Sequence, residues 1–585
     1  MAVRLTEAPF NLNQEQVNWV EDTFRGLSMD EKIGQLLMPA AGYFTPEEMV
    51  HMAKDLKVAG MMIRTMPGES ARQAFTAIQS MSTIPMLLAA NLETGGIGAV
   101  AEGTIFSSPM GCAATGNPEN GYRLGKISCK EAAAVGVNWG FAPVVDIDNS
   151  YRNPITNIRA FSSDTDEVIA YSKCYLKAAK EEGVIPTIKH FPGDGCDERD
   201  QHLLVSVNDR SAEEWYDSYG KIYETLIREG APTIMVGHIA QPAVARDMNP
   251  DLSRKEAYLP ASLSKTLVTG VLREKYHFNG VAITDSTLMV GYMQCMPRKQ
   301  ALAASIEAGI DMILFNRNLD EDYRYIKECI EEGILSKERV DEAVLRVLAL
   351  KAMLQLPGKQ LSNTLIPDTE LKSIMKDSVT KEWCRELADR SVTLVKDNRN
   401  LLPLSPEKGK RIYLNVIENE VENQSPFAMD VKRRLEAEGF SVTLRDRKLD
   451  INTADMLQGI MNEDALRVMS EISASTDDFV SQYDMAMIVL NMETVSNATV
   501  VRVNWKVMFG LGNDIPWYAG EMPLVVVSTA NPYHLLDIPM AHTYINAYTN
   551  TPEVLEALFD KLMGRSDFKG VSPVDAFCGH EDCAL

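Results

Sequence analysis

Eight short apolar runs alternate with longer amphipathic segments between about residues 30 and 320, and this alternation restricts the fold more than any other feature. The runs are continuously apolar, which is typical of parallel strands that are covered on both faces. They lie at residues 34–39, 59–63, 85–90, 137–145, 184–188, 233–236, 280–284 and 312–315. Eight strand–helix repeats in about 300 residues predict a (β/α)8 barrel.

Polar or ionisable residues come directly after most of these runs. They are Arg64, Asn91, Asp146, Lys189, His190, His238, Asp285 and Asn316. In a barrel the carboxyl ends of all strands meet on one face, and that face carries the active site. A doubly wound open sheet is the alternative fold, but it does not require polar groups to converge from so many strand ends.

The chain is long enough for more than one domain, because single cores stop growing at roughly 250 to 300 residues and the sequence has 585. We assign residues 1–355 to the barrel domain, 356–380 to a linker containing Pro357, Gly358 and Pro367, and 381–585 to a second domain. The second domain is expected to be a smaller α/β layer structure. Its predicted strands lie at residues 411–417, 441–445, 485–490, 524–528 and 543–547, and its predicted helix at 428–438.

The composition restricts the partners and the compartment. A formal net charge of −23 argues against a general affinity for nucleic acid or anionic membranes, so a neutral small substrate is easier to accommodate. Nine cysteines without a paired framework favour free thiols in a reducing compartment. Because the start lacks an apolar signal-peptide core and no run of about 18 apolar residues occurs, we expect a cytoplasmic protein. The sequence does not fix the oligomeric state, and a homodimer is compatible with it.

The segment KHFPGDGCDERDQH, from Lys189 to His202, follows the run at 184–188 and has the composition of a catalytic loop. Asp200 and His202 are two residues apart, so in an extended loop the carboxylate can accept a hydrogen bond from the imidazole. A histidine with a pKa near about 6.5, helped by a carboxylate, can donate a proton at neutral pH and take it back later. A surface-loop histidine without a catalytic role is the alternative.

Asp285 ends the run at 280–284 in the sequence NGVAITDSTLM. A carboxylate at the mouth of a barrel strand can act as a nucleophile, a base or a metal ligand. The structural alternative is an aspartate that caps the helix after it.

Lys189 and His190 form a pair of donors that, with Arg159 and Asn91 from other loops, would match the hydroxyl groups of a sugar. Lys189 could instead form a Schiff base, as in barrel aldolases, although an imine lysine needs an apolar pocket that lowers its pKa. A buried ion pair or core cluster is the structural alternative for both residues. His238, in MVGHIAQP, either binds substrate or supports the pocket wall.

The acidic residues of the loop also raise the question of a metal site. They are Asp194, Asp197 and Asp200, followed by His202. As an EF-hand loop the segment fails, because position six is Arg199 instead of glycine and position twelve is Val205 instead of glutamate. The arginine among the carboxylates also disfavours a cation. The sequence therefore predicts neither a metal nor another cofactor.

Several longer segments carry a pattern known from one enzyme family. They are IPMLLAANLETGG, NWGFAPVVDIDNS, IRAFSSD, IPTIKHFPGDG followed by DERDQH, VLREKYHFNGVAITDS, RSVTLVKDNRNLLPL and GVSPVDAFCG. Together they resemble glycoside hydrolase family 3, and within it the β-N-acetylglucosaminidase branch that uses an Asp–His acid/base dyad. The resemblance implies a barrel followed by an α/β/α sandwich, and a retaining enzyme that cleaves terminal β-linked sugars, N-acetyl-β-D-glucosamine first among them.

The resemblance also implies roles for individual residues. The nucleophile falls on Asp285 and the acid/base dyad on Asp200 and His202. The glycone-binding positions fall on Asn91, Arg159, Lys189 and His190. Where the branch usually has a second histidine this chain has Asp194, and where it usually has an aspartate this chain has Asn91. Both departures lie beside the glycone, so Asp194 joins the substrate-binding candidates and bears on which sugar is preferred.

Four other activities stay open at this point. A phosphorylase is one, because a histidine acid/base is uncharged when neutral and lets phosphate approach the intermediate. A β-glucosidase of family 3 is another, although those enzymes take a glutamate acid/base from the second domain. From other classes, a Schiff-base aldolase would use Lys189, and a noncatalytic sugar-binding protein would tolerate the loss of Asp285.

Overall fold

The structure is a computed structural model, and it describes residues 3–41, 45–420, 422–446, 475–493, 496–497, 499, 501–503, 505, 507–508, 511–512 and 514–585. The chain divides into two compact units. The first comprises Met1–Ala113, Asn117–Trp383 and Ser496–Thr499, and the second comprises Ala114–Gly116, Cys384–Val495 and Val500–Leu585. The domain boundaries at residues 355 and 380 stay predictions.

A ring of parallel strands forms the centre of the first unit. In its described residues these strands are β1 Leu37–Met38, β2 Gly60–Ile63, β3 Leu87–Ala90, β4 Trp139–Gly140, β5 Ile185–Phe191, β6 Thr233–Val236, β7 Val281–Thr284 and β8 Ile313–Leu314. Each strand from β2 to β7 pairs in parallel with the next. A parallel bridge between Ile283 and Met312 continues the ring to β8, and β8 pairs with β1.

The ring closes through Ala40–Ala41, which continues β1 and pairs with β2. Seven of the eight predicted runs contain one of these strands and the run at 184–188 overlaps β5, so the (β/α)8 barrel is confirmed and the open sheet is wrong. The sequence places the end of β5 too early, because the strand continues through Lys189 and His190 to Phe191.

Helices follow the strands as the capping signals predict. Three helices begin with a capping box, at Ser28, Thr45 and Ser211. Each of these side chains accepts the N–H of the glutamate three residues later, and the side chain of that glutamate accepts the N–H of the capping residue. The helices of the first unit include Gln14–Gly26, Met29–Gly34, Pro46–Val50, Gly68–Met81, Pro109–Ala113, Glu119–Ala133, Thr165–Glu181, Ala212–Trp215, Lys221–Arg228, Pro242–Met248, Arg254–Ala257, Val290–Met293, Arg298–Ala308, Leu319–Glu331, Lys337–Met353, Leu356–Leu361 and Leu371–Ile374. The wider π-type turns His51–Asp55, Tyr216–Gly220 and Thr266–Lys275 complete three of the helical segments. Among the described residues, no helix has the length and apolarity needed to cross a membrane.

A buried charge cluster lies at the amino-terminal ends of β7 and β8. Asp311, which is fully buried, accepts hydrogen bonds from Arg273 at 2.6 Å, from Arg346 at 3.2 Å and from Arg339. It also accepts the N–H of Ala282 in β7 at 2.9 Å. This end of a barrel is opposite the face where active sites form, so the cluster is structural.

A single mixed sheet forms the centre of the second unit. Its described strands are β9 Thr393–Asp397, β10 Arg411–Glu418, β11 Ser441–Leu444, β12 Met485–Asn491, β13 Leu524–Ser528 and β14 Thr543–Asn546. Their order in the sheet is β9-β14-β13-β12-β10-β11, and only the β9–β14 pair is antiparallel among them. The five strands predicted for this domain are all present, and β9 is a further one. The helix Ser378–Ser391 precedes the sheet, and an antiparallel pair, Val507–Met508 with Leu511–Gly512, lies outside it.

Both faces of this sheet are covered. Alternate residues of β12 point to opposite faces, so Met487 and Val489 join one apolar cluster while Ile488 joins another. The first cluster contains residues of the helices Pro426–Ala437 and Pro552–Leu562. The second contains residues of the short helical turns Trp517–Gly520 and His534–Asp537, with the helix Thr476–Gln482 packed beside them. The sandwich implied by the family resemblance is therefore confirmed.

Candidate active site

Asp285 lies at the carboxyl end of β7, where its N–H continues the ladder by donating to Val236 of β6 at 2.8 Å. The side chain is 10% exposed, and its Oδ1 accepts the N–H of Ser286 at 2.7 Å. Burial raises the pKa of Asp285, but nearby imidazoles and this N–H outweigh burial and lower the pKa below its usual range. The next helix begins at Val290 without a side-chain cap, so Asp285 is an ionised carboxylate at the barrel mouth and not a helix cap.

His190 is held beside this carboxylate by Asp146. Its Nδ1 lies 2.7 Å from Oδ2 of Asp146, and its backbone N–H donates to Oδ1 at 3.1 Å. Nε2 of His190 lies 3.8 Å from Oδ2 of Asp285. Because Nδ1 faces a carboxylate it carries a proton there, and the ring orientation is fixed as it is in other carboxylate–histidine pairs. Asp146 was predicted only as a polar strand end, without a role.

Glu93 joins the two predicted cations of the glycone site. Its carboxylate lies 2.6 Å from Nζ of Lys189 and accepts two hydrogen bonds from Arg159, at 2.8 and 3.0 Å. Burial raises the pKa of Glu93, but Arg159 and Lys189 together hold it well below its usual range. Asn91, which is exposed, places Oδ1 3.5 Å from the same Nζ. Sequence reasoning missed Glu93, although its position two residues after a strand-end residue was a usable signal.

The second carboxylate–histidine pair is the predicted dyad. Nδ1 of His202 lies 2.6 Å from Oδ1 of Asp200, and the N–H of His202 donates to the same oxygen at 2.8 Å. Oδ2 of Asp200 accepts the N–H of Asn497 at 2.7 Å, a residue that belongs to the first unit. Burial raises the pKa of Asp200, but His202 and the two N–H donors lower it overall. The side chain of Asp200 is buried, whereas that of His202 keeps 21% of its surface exposed, so the imidazole can reach a substrate.

Two glycines shape the loop between these pairs. Gly193 and Gly195 have φ of +113° and +103°, which L side chains rarely adopt. A Cβ on Gly193 would lie 2.0 Å from the ring of Tyr219, and one on Gly195 would lie 1.9 Å from the carbonyl oxygen of Ile147. The tight turn around Asp194 therefore requires glycine on both sides.

His238 lies behind Asp285 with both ring nitrogens bonded to protein groups. Nδ1 is 2.8 Å from Oγ of Ser262, and Nε2 is 2.9 Å from the carbonyl oxygen of Ser286, to which it donates. Complete burial lowers the pKa of His238 to about 4. A neutral His238 supports the backbone next to Asp285, as the pocket-wall interpretation predicts.

Asp194 is also buried, at 1% exposure, and its oxygens accept hydrogen bonds from protein donors. Burial and the nearby carboxylate of Asp146 raise the pKa of Asp194 to about 7. Of the two other strand-end residues, Arg64 is exposed and Asn316 donates to Asp322 at 2.9 Å. Within the described part of the chain, no group of three or more His, Cys, Asp or Glu side chains is arranged to hold a metal ion.

Comparison with known proteins agrees with this geometry. Residues 28–350 match the family model described as the glycosyl hydrolase family 3 N-terminal domain. A β-N-acetylglucosaminidase/β-glucosidase of Cellulomonas fimi is 40% identical over 583 residues, covering 100% of both chains. The solved structure of the β-glucoside phosphorylase BglX is 40% identical, covers 99% of both chains and has a TM-score of 0.89. A family 3 β-N-acetylglucosaminidase from Paenibacillus sp. str. FPU-7, at 21% identity, covers 94% of this chain and 99% of its own and shares the fold with a TM-score of 0.76.

The matched barrel domain, the full-length similarity and the strand-end carboxylate at Asp285 agree with one another. This chain belongs to glycosyl hydrolase family 3 and is an enzyme that acts on O-glycosyl bonds.

Proposed function

We propose that this protein is a retaining glycosidase that releases terminal β-linked N-acetylglucosamine. The observation that carries the proposal is an ionised carboxylate, Asp285, at the barrel mouth together with an Asp–His pair, Asp200 and His202, on a neighbouring loop. The sugar is supported by the name of the Cellulomonas fimi relative, which is 40% identical over the whole chain.

In the first step Asp285 attacks the anomeric carbon while the protonated His202 gives its proton to the leaving oxygen. The bond to the aglycone breaks as the bond to Oδ of Asp285 forms, so the product is a glycosyl-enzyme and a free alcohol. Asp200 orients the imidazole, because its carboxylate lies 2.6 Å from Nδ1 and leaves Nε2 to face the leaving oxygen.

In the second step His202, now neutral, takes a proton from water as the water oxygen attacks the anomeric carbon. The bond to Asp285 breaks and the sugar leaves with its original configuration. Two inversions at one carbon give this retention, and the histidine returns to its protonated state.

The glycone is held by fixed donors at the strand ends. Lys189 and Arg159 share the carboxylate of Glu93, so their charges are balanced and their positions set before substrate arrives. Nζ of Lys189 lies 2.6 Å from a carboxylate of Glu93, whereas an imine lysine needs an apolar pocket. Sugar binding is therefore favoured over the aldolase.

Phosphorolysis is the second candidate, and the 40% identity to a β-glucoside phosphorylase favours it. In this variant phosphate takes the place of water in the second step and the product is a sugar 1-phosphate. A neutral His202 does not repel an approaching phosphate as a carboxylate would.

Product analysis by NMR, with and without phosphate, tests both candidates on a panel of aryl β-glycosides. Hydrolysis gives the free β-sugar first in either buffer, and phosphorolysis gives a sugar 1-phosphate only with phosphate. Asp285→Ala should abolish turnover. Retention of activity by this variant, or borohydride trapping of a covalent adduct on Lys189, would overturn the glycosidase proposal.

The cytoplasmic location and the homodimer stay predictions. Cell fractionation tests the first, and light scattering of the purified protein tests the second.

A further inference from the structure

Asp194 is a buried carboxyl group that the proposed chemistry does not use. Its Oδ1 accepts hydrogen bonds from Asn153 at 2.9 Å, from the N–H of Gly195 at 2.8 Å and from Ser206 at 3.3 Å. Asn153 in turn accepts the N–H groups of Ile155 and Thr156 through its own side-chain oxygen. Oδ1 therefore fixes the loop that leads to Arg159.

The other oxygen of Asp194 faces the dyad loop. Oδ2 accepts a hydrogen bond from Nε2 of Gln201 at 3.4 Å, and Gln201 stands between the two dyad residues in the sequence. Both side chains are 1% exposed, so water does not replace the contact easily. This oxygen has no role toward Asn153, which leaves it free to act on the dyad alone.

Gln201 is bound at its other end to β6. Its Oε1 accepts the N–H of His238 at 2.8 Å. A Cβ on Gly237 would lie 3.1 Å from this oxygen and 3.2 Å from Cβ of His190, so the amide packs against the strand end. The next residue, His202, uses its carbonyl oxygen to accept the N–H of Val290 at 2.9 Å. The dyad loop is thus tied to β5, to β6 and to the segment after Asp285.

We propose that Asp194 is a positioning residue for proton transfer, which holds the Asp200–His202 dyad at the correct distance from Asp285 through its hydrogen bond to Gln201. The inference rests on the proposed glycosidase function. The family branch usually has a histidine where this chain has Asp194. We attribute this difference to the positioning of the acid/base pair and not to direct contact between Asp194 and the sugar.

The protonation state of Asp194 is compatible with this role. Its N–H donates to Asp146 at 2.8 Å, so the two carboxyl groups are neighbours, and burial together with Asp146 raises the pKa of Asp194 to about 7. A carboxyl oxygen accepts a hydrogen bond whether or not it carries a proton, whereas an amide nitrogen cannot. Replacing Oδ2 by an amide nitrogen therefore breaks the contact with Gln201 in either state.

Because Oδ1 and Oδ2 of Asp194 have different partners, substitutions at Asp194 and Gln201 can change the contact at Oδ2 and leave the contacts at Oδ1 in place. In Asp194→Asn the amide oxygen stays with the three donors at Oδ1, and the amide nitrogen faces the Gln201 nitrogen, so two donors oppose each other. In Gln201→Glu one oxygen stays with the N–H of His238, and the second oxygen faces Oδ2 of Asp194, which keeps the contact by holding a proton and donating it to the new carboxylate. The double variant puts an amide nitrogen opposite a carboxylate oxygen and restores one hydrogen bond.

Two substrates test the dyad. An aryl β-N-acetylglucosaminide has a good leaving group, whose oxygen needs little protonation. A β-linked disaccharide of N-acetylglucosamine has a poor leaving group, whose oxygen must be protonated. A small displacement of a catalytic group can cost about 100-fold. We expect Asp194→Asn to lose roughly 10- to 100-fold in kcat on the disaccharide and far less on the aryl glycoside, whereas Gln201→Glu should lose little on either. The double variant should recover most of the loss on the disaccharide.

Ser206→Ala is the matched control, because it removes a donor at Oδ1 and leaves Gln201 untouched. It should keep the wild-type ratio between the two substrates. Equal losses on both substrates in Asp194→Asn, or a double variant as poor as Asp194→Asn, would overturn the positioning role. If Asp194→Asn does not fold, Gln201→Met, which removes the donor to Oδ2 of Asp194, must separate the two substrates in the same way. Failure of the proposed function looks different, since the wild type would then turn over neither substrate or Asp285→Ala would stay active.

Discussion

Nε2 of His190 lies 3.8 Å from the carboxylate of Asp285. This distance places an imidazole beside the proposed nucleophile without a direct hydrogen bond, which leaves the carboxylate oxygen available for the attack that we propose. The same ring is fixed from behind by Asp146 at 2.7 Å. Asp146 therefore acts on the proposed nucleophile through the His190 ring that it orients.

We expect Asp146→Asn to lower kcat/KM by about 10- to 100-fold, the usual cost of removing a group that orients a histidine. An amide keeps an oxygen for the N–H of His190 but turns a donor toward Nδ1, which favours the wrong tautomer. Steady-state kinetics on an aryl glycoside measure the effect. Full activity in a folded variant would show that Asp285 does not depend on this pair.

We expect Glu93→Gln to raise KM by at least about tenfold while the kcat changes less, because the donors of Lys189 and Arg159 lose the charge that positions them. Glu69→Gln is the matched control, since Glu69 lies on the surface with a side chain 72% exposed. Kinetics over a range of substrate concentrations separate the two constants. A loss confined to kcat would place Glu93 in the chemical step instead.

We expect Asp311→Asn to lower the free energy of unfolding by about 3–5 kcal/mol, because removing the charge of a buried carboxylate leaves its cationic partners without compensation. Burial of the cluster already lowers the pKa of Arg273 to about 9. Urea unfolding followed by circular dichroism measures the change. Asp320→Asn, at an exposed site, serves as control, and an equal effect there would contradict the structural role of the cluster.

Lys351 gives a prediction for the dependence of stability on pH. Burial lowers its pKa to about 7, and its Nζ donates to Gln35 at 2.7 Å. The unfolded chain has a lysine pKa near 10.4, so between about pH 7 and 10.4 the unfolded state binds more protons and stability rises with pH. Below about pH 7 Lys351 is charged in both the folded and the unfolded state, so the folded protein carries the full free-energy cost of burying that charge.

Lys351→Met should therefore be more stable than the wild type at pH 6 to 7, by roughly 2 kcal/mol after the loss of one hydrogen bond. The advantage should shrink as the pH approaches 10. Melting temperatures of both proteins across this range measure it. The exposed Lys337 lies on the same helix, and Lys337→Met should show a difference that does not vary with pH; the same flat profile for Lys351→Met would contradict the prediction.

The sequence alone predicts the fold because the signals are local. A buried parallel strand is apolar at every position, so each barrel strand can be recognised without its neighbours. Helix starts such as Ser28 with Glu31 and the dyad of Asp200 with His202 are also readable, because the partners are two or three residues apart. Asp285 is predicted to be the nucleophile because strand ends mark the active face of a barrel.

Other parts of the site depend on contacts between distant residues, and only the tertiary structure decides them. Glu93 pairs with Arg159 across 66 residues of sequence, and Asp146 pairs with His190 across 44. No local pattern relates such residues, because they meet only when the barrel closes. The same closure buries Asp194, raises its pKa to about 7 and turns one oxygen toward Gln201. The sequence by itself thus determined the barrel and indicated Asp285 and the Asp200–His202 pair as candidates, whereas closure of the barrel decided which groups hold them, because burial and pairing are properties of the packed chain.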